Sequence, residues 1–217
     1  MILKSIFILL SILQLSQNSL VEFSVVRIKY SGGGDWYGNK TTFVNLFDKM
    51  QKDIGIHTTY KEISAGILDE SFFNFPVAYI AGHGNIKFND DEIKRLRTYL
   101  ISGGFLFADD DYGMDVSFRR EMKKVFPELN FVELPFSHPI YNIYYRFSNG
   151  LPKIHAHAGG PPRGLGLIYE ERLVVFYSFN TDISDGCEDP DIHNDPAEKR
   201  EAALKMGVNI LLYGLLY

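Results

Sequence analysis

Among its 217 residues the chain has a single cysteine, Cys187, so no disulfide can close within it. It also lacks an excess of positive charge. Its 22 Lys and Arg face 27 Asp and Glu, a formal net charge of -5, whereas proteins that track a phosphate backbone carry a basic footprint. Nucleic acid is therefore not an expected partner, and the densest basic group, Arg119-Arg120 with Lys123-Lys124, reads as a solvated helix face. No glycine pattern matches a P-loop or a dinucleotide fingerprint. Past the amino terminus no apolar run approaches the roughly 20 residues of a membrane helix, so no membrane span is expected in the mature body.

What is present begins with a leader. Lys4 followed by the uncharged apolar run Ser5 to Leu15 reads as a secretory signal peptide over residues 1–19, and the missing A-x-A-like site leaves an uncleaved anchor as the alternative. Residues 20–217 are expected to form one exported domain, periplasmic or secreted. At 46% hydrophobic and 14% aromatic the chain has enough apolar side chain to bury one core.

Strand-like and helix-like segments then alternate. Val25 to Tyr30 reads as a strand, and Phe43, Phe47, Met50 and Ile54 mark the apolar stripe of a helix. Thr58 to Ile63 and Val77 to Ala81 read as further strands. Asn89 with Glu92 forms a capping box for a helix carrying Ile93, Leu96 and Leu100, which stops before Gly103-Gly104. Phe105 to Ala108 is the next strand, Asp115 is placed to cap a helix with Met122, Val125 and Phe126, and Phe131 to Leu134 reads as a strand. Long loops and short strands are expected from Pro135 to Glu170. Leu173 to Phe179 reads as a buried strand, Thr181 to Asp195 as an acidic loop, and Pro196 as the first residue of a last helix. This alternation predicts an α/β fold with a mainly parallel, doubly wound sheet covered on both faces.

Glycine, histidine and aspartate gather where strands end. In an open α/β sheet that is where ligands bind. Gly33, Gly34, Asp35, Trp36 and Tyr37 follow the first strand, His83 sits between two glycines after the third, and Asp109, Asp110, Asp111 and Tyr112 follow the fourth. These make a candidate ligand site, with aromatic rings for stacking and Asp35, His83, Asp109 and Asp110 for polar contacts. His83 and Asp110 are the candidate catalytic pair, as acid, base or water-positioning groups. Arg119 and Arg120 are candidate partners for the aspartates. A second cluster has metal-ligand chemistry: His155 and His157 share a face if extended, and Asp185 and His193 lie in the acidic loop with Asp182 and Glu188, so a divalent metal is a candidate cofactor.

The runs KYSGGGDWY, AGHG, LRTYLISGGFLFADDDYG, SHPIY, LPKIHAH and DGCEDPDIHNDP resemble an uncharacterised bacterial family of extracytoplasmic domains, from about Val25 to about Leu216. Ala156 and Ala158 beside His157, and Cys187 in place of a tryptophan, depart from its pattern. The family is similar in fold to class I glutamine amidotransferases, which implies a flavodoxin-like three-layer domain with a loop-rich insertion. In those enzymes the nucleophilic cysteine stands at the end of the strand after the double glycine. Asp109-Asp110-Asp111 occupies that place in this chain, so glutaminase activity is not expected. The resemblance also implies envelope protein partners, since relatives accompany membrane proteins of a complex linked to a MoxR-type ATPase. The leading expectation is a module binding a polar small molecule, glycan or peptide. The alternatives are a His/Asp hydrolase, with or without a metal, and a structural scaffold.

Overall fold

Four short apolar runs become the centre of a sheet because each is buried on both faces, which suits parallel strands shielded by crossover helices. They are Val25–Ile28 (β1), Val77–Ile80 (β3), Phe105–Asp109 (β4) and Arg172–Phe179 (β7). The computed structural model describes residues 23–56, 62–110, 112–155 and 159–217. Glu62–Ala65 (β2), Val132–Glu133 (β5) and Arg163–Tyr169 (β6) complete a seven-stranded mixed sheet of order β2-β1-β3-β4-β7-β6-β5. The first five strands in that order are parallel, and β6 and β5 add on antiparallel at one edge.

Helices cover both faces. Thr42–Ile54 (α1) and Ala197–Leu216 (α6) bury Phe43, Phe47, Met50, Met206 and Leu211 on one side. Asp90–Ile101 (α2) and Asp115–Val125 (α3) bury Leu96, Leu100, Phe118 and Met122 on the other. The Asn89 capping box forms in full: its side chain accepts from the backbone N–H groups of Asp91 and Glu92, and the Glu92 carboxylate accepts from the Asn89 N–H. Among the described residues no helix is long and apolar enough to cross a membrane.

Several expectations need correction. The stretch from Pro135 to Glu170 holds a seven-residue strand, β6, which forms a hairpin with β7 through Glu170 and Glu171, both at positive φ (46° and 66°). Such turns favour Asn and Gly, so two glutamates conceal the hairpin. The acidic loop contains two single-turn helices, Ile183–Gly186 (α4) and Pro190–His193 (α5). Asp115 is the first residue of α3 rather than its cap, and Pro196 precedes α6 rather than opening it. Arg119 pairs with Asp115 and Arg120 with the buried Glu121, so neither answers Asp109 or Asp110. The start of the strand expected at Thr58, the leader, Asp111 and His157 lie outside the described residues.

Candidate functional site

From β1 the chain leads outward to β2 and then returns to β3 on the other side, so the order reverses between β1 and β3. A crevice opens at such a reversal, outside the carboxyl ends of the two strands. The loops leaving β1 and β3 lie at that end of the sheet and are tied to each other by their backbones. Lys87 N–H donates to Ser31 O at 2.8 Å, Gly34 N–H to Asn85 O at 3.1 Å and Asp35 N–H to His83 O at 3.3 Å. Glycine is required where they touch. A Cβ on Gly34 would lie 2.7 Å from the Tyr30 hydroxyl, and one on Gly82 only 2.6 Å from the same oxygen.

This contact brings Asp35 onto His83. The Asp35 carboxylate accepts the His83 backbone N–H through Oδ1, and Oδ2 lies 3.1 Å from His83 Nδ1. The imidazole is 57% exposed, so with Asp35 on Nδ1 the Nε2 edge faces solvent. In the neutral imidazole this contact favours the tautomer with its proton on Nδ1, which leaves Nε2 as an acceptor. Tyr37, two residues after Asp35, and Tyr112, just past the end of β4, are both exposed, at 60% and 56%. Tyr112 is held at φ 77°, an uncommon conformation for a bulky residue, and Gly113 next to it packs toward Gly84. Ser117 Oγ ties α3 to the same loop, donating toward Gly84 O and accepting from Ile86 N–H.

Asp109 and Asp110 sit deeper. Asp109 pairs in register with Ser178 of β7 and has no exposed surface; its carboxylate accepts from the hydroxyls of Ser178 and Ser184 and from the Ser184 N–H at 2.6 Å. Burial pushes its pKa up to about 7, with Asp182 adding to the rise against the serine hydrogen bonds. Asp110 is 5% exposed and accepts from the Met114 N–H at 3.3 Å, just before α3. Burial raises its pKa as well. Tyr177, whose hydroxyl donates to Asp115 Oδ1 at 3.0 Å, lies beside it. His83 and Asp110 share no hydrogen bond or ion pair; the carboxylate that meets His83 is Asp35.

Beyond β7 the second cluster does assemble. His155 Nδ1 lies 3.0 Å from Asp182 Oδ2 and 3.4 Å from Asp185 Oδ2, while Nε2 lies 3.0 Å from Asp195 Oδ2. Hydrogen bonds to Asp182 and then Asp185 push the His155 pKa up to about 10. His193 Nε2 is 2.8 Å from Glu188 Oε2 and 3.9 Å from Asp185 Oδ2. His155, Asp185 and His193 each offer one ligand atom, all within 4.8 Å of one another. Asn39, at the end of the loop that carries Asp35, donates to Asp185 Oδ1 at 2.6 Å. Arg27 holds that loop through the carbonyls of Trp36 and Asn39 and pairs with Glu62. Nothing in the sequence pointed to Asn39, Arg27 or Ser184, whose roles arise only when separate loops meet.

Two hollows flank these groups. One, of about 490 Å³, is lined by Arg27, Trp36, Tyr37, Lys40, Glu62 and Ser64 among others, beside the glycine loop. The other, of about 590 Å³, lies along α3 with Arg119, Lys123, Phe131 and Leu167. Neither is lined by His83 or His155. Cys187 is fully buried, and burial raises its thiol well above the usual range, which opposes a nucleophilic role.

Compared with known families, the chain matches over residues 24–215 one described as a domain of unknown function, DUF4159. No curated protein matches it.

Proposed function

The chain belongs to the DUF4159 family, and from that premise we propose that it is an exported, amidotransferase-like domain that binds a polar ligand, a glycan or peptide, at the β1–β3 crevice. The observation that carries this reading is the Asp35–His83 pair: an exposed imidazole, oriented by a carboxylate and set between loops held by backbone hydrogen bonds. A rigid rim with one free acceptor edge and aromatic neighbours is suited to a hydroxyl- or amide-rich molecule. The Trp36–Tyr37 hollow next to it offers room for more of the ligand. The strand order from β2 to β7, with helices on both faces, supports the flavodoxin-like amidotransferase reading. The acidic pair at the end of β4 and the buried Cys187 argue against glutamine hydrolysis.

A glycan and peptide binding screen tests this. For the ligands it finds, His83→Ala and Asp35→Ala are expected to weaken affinity by roughly 10- to 100-fold, the loss of one or two polar contacts in a preformed site. Unchanged affinities in both variants overturn the assignment of the crevice. The hydrolase reading retains one specific support, because a carboxylate on Nδ1 is how a general base is oriented. Asp35 then takes the part first expected of Asp110. Turnover of screened ligands that disappears in His83→Ala, with a pH profile set by a single base, would favour it.

A further inference from the structure

We propose that His155 Nδ1, Asp185 Oδ2 and His193 Nε2 bind one divalent transition-metal ion of the zinc class. The proposal is independent of the crevice reading and concerns the loops after β7. Two stretches of chain converge: the segment before β6, which carries His155, and the consecutive turns α4 and α5, which carry Asp185 and His193.

Distances support a tetrahedral centre. With zinc bonds near 2.0–2.1 Å, neighbouring ligand atoms lie roughly 3.3–3.4 Å apart. Asp185 Oδ2 is already 3.4 Å from His155 Nδ1 and 3.9 Å from His193 Nε2, and one ligand atom from each of the three side chains lies within 4.8 Å of the others, so closure onto one ion needs side-chain adjustment and no new backbone path. The outer contacts are those a metal ligand usually carries. Asp195 holds the other nitrogen of His155 at 3.0 Å, and Asn39 holds the other oxygen of Asp185 at 2.6 Å, which orients both ligands. Asp182 and Glu188, 3.0 and 2.8 Å from the ligating nitrogens, are the carboxylates within reach of the fourth position.

Two imidazoles in the donor set select against magnesium and calcium, which take oxygen ligands. His193 is 29% exposed along its side chain and gives the ion an entry from solvent. The competing occupant is a proton: a protonated His155 would satisfy Asp182, Asp185 and Asp195 without any metal. The experiment must separate these two.

Untagged protein, stripped with a chelator, is titrated with zinc by calorimetry and with cobalt(II) by visible absorbance. The expected result is one ion per chain and the intense bands of tetrahedral cobalt, unaffected by excess magnesium or calcium. His193→Ala and Asp185→Asn are each expected to weaken zinc binding by about 100-fold or more, since losing an outer partner alone costs 10- to 100-fold. Far-ultraviolet circular dichroism checks that each variant folds, and if neither does, the stoichiometry and cobalt spectrum of the unaltered chain decide. Failure of the unaltered chain to bind zinc stoichiometrically, a weak octahedral cobalt spectrum, or wild-type affinity in a folded His193→Ala variant each overturns the proposal.

Discussion

Gly82→Ala is expected to destabilise the protein by roughly 3 kcal/mol, combining a strained backbone with overpacking. Gly82 has φ 125°, a conformation that L side chains rarely adopt, and its new Cβ would lie 2.6 Å from the Tyr30 hydroxyl and 2.8 Å from Asp35 Oδ1. Neither neighbour can withdraw freely. Tyr30 is 6% exposed and donates to Ala81 O at 3.0 Å, and Asp35 is bonded to both the backbone and the ring of His83. Gly33→Ala is the matched control, with φ 95° but nothing within 4 Å of the added carbon. Strain alone should cost it about 1 kcal/mol. Denaturant unfolding of the two variants checks this: if Gly82→Ala is no less stable than Gly33→Ala, the two loops do not pack as described. The same experiment bears on function, because a methyl group at Gly82 also pushes Asp35 off His83.

The second large effect is a pH dependence that originates at Asp109. Its carboxyl is driven from 3.8 to about 7 by complete burial. Below pH about 4 the group is protonated in both folded and unfolded chains and contributes no pH dependence. Between about 4 and 7 the unfolded chain releases a proton that the folded protein retains, so stability falls as pH rises; above about 7 the loss is complete. The full span corresponds to roughly 4 kcal/mol. Asp109→Asn should remove it while keeping the hydrogen bonds. The amide oxygen can accept from Ser184, and the amide nitrogen can donate to Ser178 Oγ, whose own proton has an alternative acceptor in Ala108 O at 3.2 Å. Measured by denaturant unfolding from pH 4 to pH 8, the variant should gain on the unaltered protein through this range and then hold a constant lead. Parallel curves for the two would show that Asp109 stays ionised when folded. Because the comparison is a difference, the opposite trends of carboxylates held low by ion pairs, such as Glu121 and Glu201, cancel from it.

Local order was legible in the chain wherever a pattern is closed over a few residues. The Asn89–Glu92 box needs nothing but its own turn, and the stripe of Leu96 and Leu100 repeats at helical spacing. β1, β3 and β4 are short apolar runs followed by glycine or aspartate, so their boundaries came within one or two residues. β6 was hidden because its hairpin turn is made by two glutamates in a conformation usually left to Asn and Gly. α4 and α5 were hidden because a single turn of helix has too few residues to show a period; α4 is buried by packing against α6, and α5 buries no residue at all.

The same division runs through the candidate sites. Gly33, Gly34, Asp35, His83, Asp109 and Asp110 stand at strand ends by sequence alone, since a buried strand must stop where polar residues begin. Which of them meet is a different question, answered by strand order. The adjacency of β1 and β3 brings Asp35 to His83, while the adjacency of β4 and β7 encloses Asp109 between two serines and leaves Asp110 bonded to Met114. Composition and periodicity thus determined that this is a layered α/β domain with polar loops at one end of its sheet. The pairing of His83 with Asp35 and of His155 with Asp182 and Asp195 was decided by the tertiary fold, because a partner 27 to 48 residues away is chosen by crossover connections and loop packing, on which local spacing has no hold.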